Sequence, residues 1–116
     1  NQQKIQGKWT QVYFKPFDYR NGTLYRVVEG EVNDGSYVEF LGNRYRFHNG
    51  RELVDQASTF NFDGDELAIR SGNTIFYSTI RWVTADSYIE TRDDGSSAGG
   101  PAFKSVFEYT YTRSGN

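Results

Sequence analysis

Alternation with a period of two constrains this chain more than any other feature. In Arg44-Tyr-Arg-Phe-His48 and Ser58-Thr-Phe-Asn-Phe62, aromatic residues fall at every second position. Only a pleated strand turns such residues to one common face. Glycine-bearing turns separate the runs: Asn21-Gly22, Asp34-Gly35, Gly42-Asn43, Asn49-Gly50, Asp63-Gly64 and Ser71-Gly72-Asn73. No stretch of a dozen residues carries a capped helical stripe. The runs predicted as strands are 8–16, 24–32, 37–41, 44–48, 51–54, 58–62, 66–70, 74–83, 86–91 and 102–113. Asn49-Gly50 is the strongest hairpin signal, because both residue types tolerate positive φ. Residues 93–101, rich in Gly and Ser, read as the one long, mobile loop.

Eight to ten short strands in meander order must deal with their exposed edges. They do so by closing into a barrel or by forming a sandwich. With tight turns throughout and no Pro-rich crossover, the barrel is favoured: an all-β, antiparallel up-and-down barrel of about eight strands. At 116 residues the whole chain, 1–116, makes one such domain.

Composition narrows the function. Thirteen Lys and Arg stand against fifteen Asp and Glu, for a net charge of −2 with His48 neutral. Nucleic acid is not an expected partner, since such binders need a basic excess to displace counterions. The absence of cysteine excludes disulfides and thiolate metal sites. No apolar run reaches the roughly 20 residues of a membrane helix. The start Asn1-Gln2-Gln3 and the lack of any Met read as a processed or trimmed piece, with any targeting segment outside it. The informative excess is aromatic: nine Tyr, nine Phe and two Trp.

Alternation assigns the faces. Trp9, Gln11, Tyr13 and Lys15 should point inward together. Phe47, Phe60, Phe62, Ile80 and Trp82 should join them, with Phe107, Tyr109 and Tyr111 from the last run. Glu90 falls on inward parity as well, and an inward carboxylate needs a partner, for which Arg81 or Arg26 is available. Asp63-Gly-Asp-Glu66 reads as a hairpin turn before a calcium loop, because the later ligands of such a loop are missing. His48, the only histidine, is expected on the outside. No Gly-x-Ser-x-Gly elbow, phosphate-cradling loop or metal-spaced His cluster is present, so neither an enzyme nor a cofactor is expected. Asn21-Gly-Thr23 has the form of a glycosylation sequon and otherwise reads as a turn.

Gly7-x-Trp9 before the first strand, and the last strand Phe107-Glu-Tyr-Thr-Tyr-Thr-Arg113 ending in arginine, together resemble the lipocalin-like (calycin) domains of short bacterial exported proteins. The Thr-Asp-Tyr signature of larger lipocalins is absent, with Thr84-Ala-Asp86-Ser-Tyr88 as a stretched counterpart. The resemblance implies a barrel floor in which Trp9 plugs the closed end, Arg113 packs across it and Gly7 gives backbone clearance. It also implies export to the periplasm or outer-membrane surface of a bacterium. Membrane contact would then come only through a lipid anchor outside this chain.

Two functions compete on this reading. In the first, the barrel is a non-enzymatic binder of a small, partly apolar molecule, held by Tyr13, Phe47, Phe60, Phe62, Trp82, Glu90 and Tyr109. In the second, the aromatics fill the interior and a solid-cored barrel docks a protein partner at the cell surface or in the periplasm. An enzyme using Glu90 or His48 in the mouth stands third.

Overall fold

The computed structural model describes residues 3–27, 29–96 and 103–114. Ten strands run through them: β1 (Gly7–Arg20), β2 (Thr23–Val27), β3 (Gly30–Glu31), β4 (Tyr37–Leu41), β5 (Arg44–His48), β6 (Leu53–Asp63), β7 (Glu66–Ser71), β8 (Thr74–Thr84), β9 (Ser87–Ser96) and β10 (Phe103–Arg113). Every pairing is antiparallel, and β4 to β10 follow one another around the sheet in chain order. β1 then pairs with β10 on one edge and with β4 on the other, closing eight strands into an up-and-down barrel. Closure leaves none of these eight with an open edge around the ring, which is how a meander of this length avoids edge-to-edge association.

β1 is longer than the predicted run and carries the closure. Its first residues, Gly7 to Thr10, pair with β4; Tyr13 and Phe14 pair with β3; Phe17 to Arg20 pair with β2. Pro16, which has no N–H to give, stands in the gap between the β3 and β2 pairings. The single strand expected over 24–32 is therefore two short ones that take turns beside β1. The runs expected at 51–54 and 58–62 merge instead into β6, whose irregular point is Ala57 at φ 57.

The turn chemistry is redistributed as well. Asn21-Gly22 makes the two-residue hairpin, with φ of 52 and 80 at its two positions, as a type I′ turn requires. Asn49-Gly50 instead opens a four-residue connection, 49–52, between β5 and β6. The Asn49 side-chain oxygen accepts from the amides of Arg51 and Glu52. Gly50 is needed there for a close approach: a Cβ would meet the Asp34 carbonyl oxygen at 3.0 Å. The first four residues of the loop expected over 93–101 are strand instead, since β9 continues to Ser96; residues 97–102 lie outside the described residues.

One irregularity decides which side chains enter the barrel. β1 bulges between Gln11 and Tyr13, where Val12 is the extra residue: Gln11 faces Tyr111, but Tyr13 faces Thr110 and Phe14 faces Tyr109. A bulge reverses the in-and-out parity beyond it. Phe14 thus joins the inner aromatics, 5.1 Å from the Tyr109 ring and 5.9 Å from Phe107. Tyr13 and Lys15, expected inside, belong to the outer face. Lys15 lies 3.4 Å from Glu29 and over the Phe17 ring there.

The lower barrel is solid. Trp9, Phe40, Phe60, Phe62, Leu67 and Ile80 are all buried within it. Trp9 has no exposed surface, and its indole N–H donates to the carbonyl of the equally buried Ile5 at 2.8 Å. Tyr88 and Trp82 meet it edge-on at 4.8 and 5.8 Å. Under it lies the Arg113 guanidinium, 4.1 Å from the indole centre. That guanidinium donates to the Gln6 carbonyl at 2.9 Å and to Asp86 at 3.0 Å. Gly7 sits at φ +114, and a Cβ there would stand 3.1 Å from Arg113 Nη1. The residue before it, Gln6, clips the β4–β5 turn by giving to and taking from the backbone of Gly42.

Candidate functional site

Above this filled floor, inward parity on successive strands brings a polar layer together. Glu90 on β9 is only 4% exposed. Its Oε2 accepts from the Ser78 hydroxyl on β8 at 2.7 Å and from Arg92 Nη2 at 2.8 Å. Glu90 and Arg92 are two residues apart on one strand, so the pleat aims both inward. The partners expected for Glu90 are corrected here: Arg81 is exposed on the outward parity of β8, and the side chain of Arg26 lies outside the described residues. The Arg92 guanidinium also stands 5.4 Å from the Tyr109 ring. Burial works against its charge, but the Glu90 carboxylate more than offsets this and holds its pKa above the ordinary arginine value.

Tyrosines surround this pair. Burial pushes the Tyr45 hydroxyl well above the usual phenol range, and the negative charge of Glu90 adds to it while Arg92 opposes. Tyr111 is raised too, by burial first, then by the charge of Glu90 and by neighbouring Tyr45, with Arg92 opposing. Tyr88, deeper in, is raised by burial first and then by neighbouring Tyr111.

Two cavities adjoin over the layer. One, of about 290 Å³, lies where β4 parts from β1; Gln11, Val38, Tyr109 and Tyr111 are among its walls, with Ser36 and Asn49 at its rim. The other, of about 230 Å³, lies against β6, β7 and β8, walled by Ser58, Ile69, Ser71 and Phe76. Tyr45, Phe47 and Arg92 line both. Phe76 remains 48% exposed at the edge of the second cavity. The mouth is thus two lobes on either side of one aromatic and cationic divide.

The residues singled out from sequence are dispersed by this geometry. Phe47 and Tyr109 line the mouth. Glu90 lies beneath it as the anchor of Arg92. Phe60 and Phe62 belong to the solid middle. Trp82 stands at the floor with the Lys4 ammonium 4.4 Å over its ring. Tyr13 is outside. Tyr45 and Arg92 were missed, although each shares inward parity with a residue that was picked, Phe47 and Glu90. The run expected over 86–91 stops just short of Arg92, whereas β9 continues to Ser96.

His48 is half-buried on the outward parity of β5, and with Tyr37 it lines one wall of the 290 Å³ cavity. It stacks on Tyr37 at 5.1 Å, and its Nδ1 accepts from the Gly50 amide. It does not meet Glu90, whose carboxylate is taken up by two donors. Among the described residues, no group of three His, Asp or Glu converges as a metal site. The mouth brings together apolar ring faces, phenol hydroxyls and one cation, Arg92. Comparison with family models, curated proteins and solved structures found no match to this chain.

Proposed function

We propose that this barrel is a non-enzymatic carrier or sensor that holds a small, partly apolar molecule in its mouth. The observation that carries the reading is the pair of adjoining cavities meeting at Tyr45, Phe47 and Arg92 above a floor of buried aromatic and aliphatic side chains. An apolar cavity of about 150 Å³ is enough for a benzene ring. The 290 Å³ lobe therefore suits a ring with a substituent or a short branched chain. Aromatic walls supply apolar burial, and a few polar groups orient the guest, which is the usual division of labour in small-molecule sites. Lipocalin-like membership and export, implied by the Gly7-x-Trp9 and Arg113 resemblance, agree with such a role.

Native mass spectrometry of protein purified gently from its own host tests this. A reproducible extra mass that disappears on denaturation, and is reduced when Phe47 is replaced by Trp to fill the mouth, supports the reading. A bare mass that persists after incubation with host extract sinks it and turns attention to a protein-docking barrel.

A further inference from the structure

The divide between the lobes has a definite chemical preference. Arg92 Nε is buried and, among the described residues, finds no hydrogen-bond partner. An orphaned donor of this kind is costly in a folded protein and rewards any acceptor that reaches it. The side chain as a whole keeps 33% of its surface exposed, and it lines both lobes. Its charge, by contrast, is already answered. Glu90 sits 2.8 Å from Nη2 with its carboxylate almost fully buried. Arg92 therefore lacks an acceptor but does not lack a counter-charge.

Resting on the mouth-binding reading above, we propose that the ligand is an electrically neutral molecule bearing a carbonyl or similar acceptor. The acceptor takes the Arg92 Nε–H beside the Glu90 contact, and its apolar or aromatic body lies against Phe47 and Tyr45. A second carboxylate at this position would give the layer two anions to one cation, in a place where charge is poorly solvated. The tyrosines sense the same imbalance, since Glu90 acts on the Tyr45 and Tyr111 hydroxyls more strongly than Arg92 does. A neutral carbonyl completes the donor without adding charge. Because Nε is closed off from solvent, the Arg92 side chain turns as the acceptor arrives, keeping its Nη2 contact with Glu90.

Three probes of matched shape separate the possibilities: acetophenone, benzoate and cumene, each titrated into the ¹⁵N-labelled full chain at pH 7. The Arg92 Nε–H resonance and the amides of Phe47 and Tyr109 are followed by NMR. Acetophenone should shift all three signals and bind at least about tenfold more tightly than benzoate, one tenfold step being less than the cost of an uncompensated charge. Glu90→Gln should then narrow the gap, improving benzoate relative to acetophenone by about the same factor. Benzoate binding as well as acetophenone overturns the neutral-ligand inference while leaving the mouth as a site. Cumene binding equally well with an unmoved Nε–H overturns the role of Arg92. If no probe moves the mouth amides at millimolar concentration and native mass spectrometry also finds a bare chain, the mouth reading itself fails.

Discussion

Replacing Trp9 with alanine removes the side chain on which the closed end is built. The indole has no exposed surface, so the whole ring leaves a cavity rather than a dent. Truncation of a buried aromatic costs about 3–5 kcal/mol, depending on how far the walls collapse. Collapse is restricted here, because Tyr88 and Trp82 hold each other at 5.5 Å and Arg113 is fixed by Gln6 and Asp86. The upper part of that range is therefore expected. It is a large share of a typical domain stability of about 5–15 kcal/mol, so a milder change is made beside it. Trp9→Phe keeps most of the apolar volume and removes the N–H given to Ile5. That orphans a buried carbonyl, and about 2 kcal/mol should be lost. Urea unfolding followed by far-UV dichroism reads both, with an unchanged slope showing that only native stability moved. A loss below about 1 kcal/mol for Trp9→Ala would refute the account of the floor, since no buried indole is that cheap to remove.

Gly7→Ala should cost about 2 kcal/mol, combining strain at φ +114 with displacement of Arg113 Nη1. Gly64→Ala, at φ +63 in open space, isolates the backbone share, and equal losses at both sites would argue against the steric part. Alkaline pH should destabilise the fold. Tyr45, Tyr88 and Tyr111 are raised in the native state, so above pH ~10 the unfolded chain releases protons that the folded chain retains, and stability falls with rising pH. Each such tyrosine contributes about 1.4 kcal/mol per pH unit in that window. A urea midpoint flat from pH 9 to 11, or ultraviolet titration of all nine tyrosines together, would contradict this. The double change Glu90→Leu with Arg92→Leu should leave stability within about 1 kcal/mol of the parent or above it. Chemical unfolding checks this, and a loss of several kcal/mol would show that the ion pair holds the barrel together.

The strand pattern and closure were readable because alternation is a local signal, repeated in every run from 37–41 onward. The contents of the mouth were not. Val12 looks like any other strand residue, yet its bulge moves Tyr13 and Lys15 outside and brings Phe14 in. Nothing local announces it, since it is set by how β1 divides its pairing among β2, β3, β4 and β10. Arg92 was hidden differently. A charged residue next to a glycine- and serine-rich stretch reads as the start of a loop. Only the pairing of β9 with β10 through Arg92 and Phe107 keeps it in the sheet. Phe60, Phe62 and Trp82 were placed on the correct face but at the wrong height. Parity gives the side of a sheet, whereas depth depends on the stagger around the ring.

That difference in height separates stability from recognition in this barrel. The floor is made mainly of groups whose burial is favourable outright: the Trp9 indole, the rings of Phe40, Phe60, Phe62 and Tyr88, and the side chains of Ile5, Leu67 and Ile80, with the partly exposed Arg113 guanidinium closing it from below. One level up, Ser78, Glu90 and Arg92 occupy inward positions whose partners on the paired strands are the apolar or aromatic Leu67, Ile80, Tyr109 and Phe107. Well-packed leucines in their place would avoid the desolvation of two ions, and buried pairs replaced in this way commonly leave a protein as stable or more so. Stability therefore does not account for the polar layer. The proposed guest would give it a reason, since the layer lies directly beneath the two cavities where an acceptor would meet Arg92.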